Sequence, residues 1–208
     1  MEIRWVVSSN FNTRNMNHIK YYILSLLTIE RQNLVKKNQE RFPEIDVFRS
    51  INGYDIKETL SHLKNSKLQY HHLEFATYGT LANFLTKYNV LLHQIEQNIP
   101  FLCFIEDDLE LHDNFLSHTS ALLNYFQTQN INMVRLDKWG EGYITSLNGA
   151  KNIVQFIQKR GITHNIDNQL RKFSGQEFYA KSTPWTLKYE TNKGDCLKTE
   201  KINLDLIK

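Results

Sequence analysis

Short apolar runs alternate with amphipathic stretches along this chain, and the clearest run, Phe101-Leu102-Cys103-Phe104-Ile105, ends abruptly in Glu106-Asp107-Asp108. A wholly apolar run opened by Pro100 predicts a strand buried on both faces, as in the middle of a parallel sheet. Ahead of it, Leu81, Phe84, Leu85, Tyr88, Leu91, Leu92 and Ile95 recur at spacings of three and four, which marks one buried face of a helix. Further strands are predicted at Trp5-Val6-Val7, Tyr21 to Leu26, Val47 to Ile51, Ile131 to Leu136 and Tyr143 to Thr145. Helices are predicted from Ile29 to Arg41, with Thr28 as cap and Pro43 as stop, from Asn114 to Gln129, and from a Ser146 cap to Gly161. Ser61 to His72 shows no clear period and reads as a loop with a helical turn. Asn52-Gly53-Tyr54-Asp55 is turn-like, and the pattern becomes irregular after Phe173, with Ile202 to Ile207 as a closing strand or an exposed arm.

Strands alternating with helices predict an α/β sandwich with a largely parallel central sheet. With 208 residues and no Pro/Gly/Ser-rich linker, one domain over residues 1–208 is expected, its tail irregular from about residue 174. Ligands of such sheets bind beyond the carboxyl ends of the strands, which is where the three acids fall. On an extended segment Glu106 and Asp108 project to one side and Asp107 to the other. Two like charges on one side repel unless a cation joins them, and hard oxygen ligands suit Mg²⁺ or Mn²⁺ held jointly with substrate phosphates. The acids therefore suggest a metal-bridged diphosphate site; the plainer reading is solvated residues opening a loop.

Composition narrows the class. The net charge of +3 is too mild to indicate nucleic acid, and the lysines are scattered over predicted helix faces. No apolar run approaches the roughly 18 residues that span a bilayer, and Met1-Glu2-Ile3-Arg4-Trp5 lacks the layout of a signal peptide, so a cytoplasmic protein without a transmembrane segment is expected. Cys103 in a buried strand and Cys196 in a polar loop form neither a metal motif nor a disulfide framework. His62, His71, His72, His93, His112 and His164 lack the helical pairing of a zinc site. Neither a P-loop nor a GxGxxG turn is present, so an enzyme handling a nucleotide diphosphate on this chain must neutralise phosphate in another way.

At this point the chain resembles the family 25 glycosyltransferases, the group that includes lipooligosaccharide and collagen galactosyltransferases and uses the GT-A nucleotide-diphospho-sugar fold. The matching pieces keep the family's order: Tyr22-Ile23-Leu24-Ser25-Leu26 with Glu30-Arg31, the turn Ile51-Asn52-Gly53-Tyr54-Asp55, and Tyr78-Gly79-Thr80-Leu81-Ala82-Asn83-Phe84-Leu85-Thr86. In the last of these the family's usual Ser-His ending is replaced by Thr86-Lys87. Phe104-Ile105-Glu106-Asp107-Asp108-Leu109 with Asp113-Asn114-Phe115 is the most specific match. Gly142 to Lys151 and Ile166-Asp167-Asn168-Gln169-Leu170 resemble the later pieces, so the likeness covers Tyr21 to Leu170.

The resemblance implies a GT-A-type α/β/α sandwich and transfer of a hexose, galactose or glucose first, from a UDP-sugar to a glycan or glycoprotein acceptor with Mn²⁺ or Mg²⁺. It implies Asp108 as direct metal ligand, Glu106 on metal or ribose, and Asp107 on the ribose or donor sugar. Arg31, Asn52, Asp55 and Thr80 are implied contacts of the donor, although a surface ion pair explains Arg31 and a plain turn explains Asn52 and Asp55 equally well. An inverting reaction also needs a general base. Asp167 is the candidate, with an N-cap for a helix over 168–173 as its competing role; Asp137 and Glu141 stand behind it. Trp139 and Trp185 are either sugar platforms or packing residues. Two other classes compete: a nucleotide-sugar-forming nucleotidyltransferase, which normally carries a basic Gly-rich loop absent from Ser8 to Arg14, and a non-catalytic sugar-binding module, for which three adjacent acids serve no purpose.

Overall fold

Alternation along the central strands sorts their side chains onto two faces, each covered by helices. The computed structural model describes residues 18–71, 76–123, 126, 131–136, 140–174, 187–189, 199–203 and 206. Its strands are β1 (Ile19–Ser25), β2 (Ile45–Arg49), β3 (Phe101–Glu106), β4 (Leu109–Leu111), β5 (Met133–Arg135), β6 (Gly142–Ser146) and β7 (Leu187–Tyr189). Its helices are α1 (Ile29–Arg41), α2 (Ile56–Ser66), α3 (Tyr78–Glu96), α4 (Phe115–Ala121), α5 (Leu147–Arg160) and α6 (Ile166–Ser174). The central sheet has the order β2-β1-β3-β6-β5, and β4 pairs with β7 apart from it.

On one face Tyr22, Leu24, Leu102, Phe104 and Tyr143 pack with Leu85 of α3 and Ile153 of α5. On the other, Tyr21, Ile23, Cys103, Ile105 and Ile144 pack with Val35 of α1 and Phe115 of α4. The result is the expected α/β sandwich. Burying each such side chain contributes ~1.5–3 kcal/mol, which is why a five-residue apolar run reads as a central strand. β1 is parallel to β2 and β3, while β6 runs antiparallel to β3 and β5. Only β6 is reversed. Because Gly142 pairs with Ile105, β6 begins at the rim where β3 ends.

Local chemistry fixes most boundaries. Thr77 and Thr80 form a capping box at the start of α3, the Ser146 hydroxyl accepts from Gly149 N at 3.0 Å to start α5, and Gly161 at φ +69° ends it. Thr28 occupies the N-cap position of α1 without a side-chain cap bond. Residues 61–66 of the loop expected over Ser61 to His72 belong instead to α2, because Asp55 caps that helix, accepting from Glu58 N at 3.0 Å, and Lys67 stops it in a left-handed conformation. Only Thr59 and Leu63 of α2 are buried, too narrow a stripe to give a readable period. Of the helix expected over Asn114 to Gln129, Phe115–Ala121 form α4 and residues 124–125 and 127–129 lie outside the described residues, while the strand expected over Ile131 to Leu136 is the shorter β5. Lys201 bridges Thr77, so the end of the chain returns to the start of α3. Trp5-Val6-Val7, Asp137, Trp139, Trp185 and Cys196 lie outside the described residues. No helix among the described residues is long and apolar enough to cross a membrane.

Candidate active site

The parallel strands β1, β2 and β3 deliver Ser25, Arg49 and Glu106 to one rim of the sheet, and the acids occupy its centre. β3 stops at Glu106, whose backbone N–H donates to Glu141 O at 2.8 Å, and Asp107 and Asp108 form the turn into β4. The expected alternation through Asp108 therefore breaks at Glu106. Each acid has a different partner.

Glu106 Oε1 is 2.7 Å from Lys87 Nζ and accepts from Asn83 Nδ2 at 3.2 Å. Asn83 and Lys87 are four residues apart on α3, so they share one stripe of the helix. Asp107 Oδ2 accepts from the Ser25 hydroxyl at 2.5 Å, and Ser25 Oγ in turn accepts from Leu27 N at 2.9 Å. Burial, with repulsion from Glu106, pushes the Asp107 carboxyl up against the opposing pull of Ser25 and Arg31. Asp108 lies 3.7 Å from Arg31, in the first turn of α1. Burial first, then Glu106 and Asp107, push its carboxyl up to about 6, which Arg31 only partly offsets. Asp108 Oδ1 is buried with no hydrogen-bond partner among the described residues.

The fourth acid of the rim comes from α6. Asp167 Oδ1 accepts from Lys87 Nζ at 2.8 Å and from the Tyr143 hydroxyl at 2.8 Å, and the side chain keeps 27% of its exposure. Lys87 Nζ also donates to Gly140 O at 2.9 Å. Burial alone would depress the Lys87 ammonium; Asp167 and Glu106 outweigh it and hold the ammonium well above its ordinary range. Burial, together with Asp167, drives the Tyr143 hydroxyl well above its usual range. Gly140, at φ +91°, permits this closeness: a Cβ there would stand 2.3 Å from the Tyr143 hydroxyl and 2.7 Å from Asp167 Oδ1.

Asp167 does not cap its helix. Asn165 Oδ1 accepts from Asn168 N at 3.1 Å and Asn165 O from Gln169 N, so Asn165 is the cap and α6 opens at Ile166. Asn52, Asp55 and Thr80 form a second group. Asn52 Oδ1 accepts from Tyr54 N, Asp55 caps α2, and Thr80 bonds Thr77 within the α3 capping box. Gly53 docks this turn on α3, since a Cβ at 53 would lie 2.4 Å from Gly79 Cα.

Thus Arg31, Glu106, Asp107, Asp108 and Asp167 converge through short polar contacts, while Asn52, Asp55 and Thr80 serve the neighbouring turn and caps. Lys87 is the member that sequence reading misses. Its signals are its place between Phe84, Leu85 and Tyr88 in the apolar stripe of α3 and the departure of Thr86-Lys87 from the usual Ser-His ending. Among the described residues no three His, Cys, Asp or Glu side chains cluster as a metal site. The oxygen best suited to a cation is the unpartnered Oδ1 of Asp108.

The sequence model of glycosyltransferase family 25 (LPS biosynthesis protein) matches residues 18–189, from the start of β1 to the end of β7. No curated protein matches the chain.

Proposed function

The chain belongs to glycosyltransferase family 25, and from that premise we propose that it transfers a hexose, galactose or glucose, from a UDP-sugar to a glycan or glycoprotein acceptor with inversion at the anomeric carbon. The observation that carries the finer reading is the juxtaposition of two kinds of carboxylate at one rim. Asp108 has a buried oxygen without a partner among the described residues, and Asp167 is partly open to solvent with one oxygen already oriented.

Glu106, Asp107, Asp108 and Asp167 meet Lys87 and Arg31 at the rim, a local excess of carboxylates that a divalent ion would offset. Mg²⁺ and Mn²⁺ favour one or two carboxylates together with substrate phosphates, so a protein cluster of three ligands is not required. Asp108 is the proposed ligand, with Glu106 beside it already neutralised by Lys87. When bound, the ion stabilises negative charge growing on the leaving diphosphate.

The remaining roles fall to the chain's own residues. Arg31 lies at the amino end of α1, where a guanidinium and the helix terminus together favour a phosphate. Asp107, fixed by Ser25, addresses the ribose or the donor sugar. The Asn52-Gly53-Tyr54-Asp55 turn, docked at Gly79 beside Thr80, is the proposed nucleoside end. The acceptor hydroxyl oxygen attacks the anomeric carbon as the bond from that carbon to the diphosphate breaks, UDP leaves, and Asp167 takes the hydroxyl proton.

The test is calorimetry and thermal shift with UDP and a panel of nucleotide-sugars, with and without Mn²⁺. UDP is expected to bind and stabilise strongly only with the metal, and a UDP-hexose to be consumed. Equal UDP affinity without metal rejects the metal role, and tighter binding of GDP- or CMP-sugars rejects the donor.

A further inference from the structure

We infer that Lys87 is a positioning residue of the transfer reaction, whose ammonium sets the placement of Asp167 relative to the donor-side acid Glu106. The inference rests on the reading of Asp167 as general base. Lys87 itself cannot meet substrate, because its side chain is 1% exposed. It acts through what it holds.

A lysine ammonium has three N–H donors, and here it donates to Asp167 and Gly140 and forms an ion pair with Glu106, partners from three parts of the chain. Glu106 Oε1 stands at the end of β3, Asp167 Oδ1 in α6, and Gly140 O just before β6. Two hydrogen bonds orient the ammonium and the ion pair draws Glu106 to it, so Nζ stands between the two carboxylates within 2.8 Å of each. Tyr143 donates to the same Asp167 Oδ1. Both bonds fall on one oxygen, and no described residue bonds Oδ2, which leaves that oxygen to face an acceptor hydroxyl.

Stability alone does not call for the arrangement. Lys87 lies in a helix face whose neighbours Phe84, Leu85, Tyr88 and Leu91 are buried and apolar. A whole buried ion-pair network is often replaceable by apolar residues without loss of stability, whereas removing only the cation destabilises by leaving Glu106 and Asp167 unpaired, so Lys87→Met is expected to be folded but less stable than wild type. What an apolar residue cannot do is fix two carboxylates. A misplacement of about 1 Å in a catalytic group can lower a rate by ~10²-fold, so a residue that fixes Asp167 has a large effect without touching the reactants.

The experiment uses the full chain with Mn²⁺ and UDP-galactose or UDP-glucose, whichever the wild type consumes, with water as acceptor and UDP release as readout. Lys87→Met is expected to remain folded by circular dichroism, to bind UDP within about threefold of wild type, and to lose kcat by ~10²-fold with little change in KM. Lys87→Arg retains the charge but not the placement of the donors, and is expected to recover part of that loss. Combining Lys87→Met with Asp167→Asn should be no worse than Asp167→Asn alone, because residues acting through one another are not additive. A folded Lys87→Met with kcat near wild type, a parallel loss of UDP affinity, or fully additive losses in the double variant overturns the inference. Should Lys87→Met fail to fold, Lys87→Arg decides: a roughly tenfold lower kcat with unchanged UDP affinity upholds the inference, and full kcat overturns it. Wild-type protein that binds UDP but consumes no UDP-hexose rejects the functional reading and the inference together, whereas an active wild type with an equally active Lys87→Met rejects the inference alone.

Discussion

The Tyr143 hydroxyl donates to Asp167 Oδ1 at 2.8 Å, from a ring that is itself buried in the core between β3 and α3. A phenol so placed orients a carboxylate without needing to titrate. Tyr143→Phe keeps the ring and removes one bond to a charged group, an interaction typically contributing ~1.5–3 kcal/mol. Transfer is expected to fall about tenfold or more, with UDP affinity unchanged. Steady-state kinetics beside UDP calorimetry check this, and a proportionate loss of UDP affinity places Tyr143 in the donor site instead.

Asp167→Asn removes the base and also one of the two carboxylates around a buried ammonium. Since Asn165 caps α6, the substitution does not touch the cap. Transfer should fall by roughly two orders of magnitude or more, while UDP affinity is preserved. Unlike a cap exchange, it should also lower thermal stability, by about 1–3 kcal/mol, because Lys87 keeps only Glu106 as a charged partner. Transfer within a few-fold of wild type returns the base role to Asp137 or Glu141.

At Asp108 stability and function oppose each other. Its carboxyl is raised from 3.8 to about 6 by burial and by Glu106 and Asp107, so the folded protein disfavours its ionised form. The native state holds that proton more tightly than the unfolded chain, and the metal-free protein loses stability from this group as pH rises through 6, by up to ~3 kcal/mol. Asp108→Asn should therefore raise the melting temperature of the metal-free protein, more at pH 8 than at pH 5. The same variant should lose metal-dependent UDP binding. In the wild type that binding should weaken as pH falls below about 6, where Asp108 takes up its proton. A variant that melts no higher at pH 8, or that keeps its UDP affinity, contradicts the assignment.

Much of this site is legible along the chain because its signal is local. An apolar run ending in Glu106-Asp107-Asp108 announces both a central strand and a charged rim, and Ser146 and Gly161 bracket α5 by their own chemistry. Lys87 is not legible in that way. A lysine in a helix ordinarily lies on a solvated face, and its burial depends on Asp167, 80 residues away, arriving beside Glu106. The same holds for the reversed β6, whose direction follows from how residues 107–141 return rather than from its own pattern, and for α2, whose buried stripe is two residues wide. Side-chain alternation also misleads at the end of β3. The strand ends one residue before Asp107, so Ser25 and Arg31, not the pleat, decide where Asp107 and Asp108 lie.

The docking of the Asn52-Gly53-Tyr54-Asp55 turn offers a test of the donor site that spares every charged residue. A Cβ on residue 53 would come within 2.4 Å of Gly79 Cα and 2.8 Å of Gly79 N, and neither backbone atom can swing aside as a side-chain tip does. Gly53→Ala must therefore lift the turn from the start of α3 or displace that helix terminus, at a typical overpacking cost of about 1–3 kcal/mol. The acids at the rim keep their partners, because Glu106, Asp107 and Asp108 are held by Lys87, Ser25 and Arg31 rather than by this turn. If the turn is the nucleoside end of the site, UDP affinity should fall by more than tenfold while affinity for Mn²⁺ with pyrophosphate, which lacks the nucleoside, changes little. Equal losses for both probes mean that the turn supports the rim as a whole, and unchanged UDP affinity in a destabilised variant means that the nucleoside lies elsewhere.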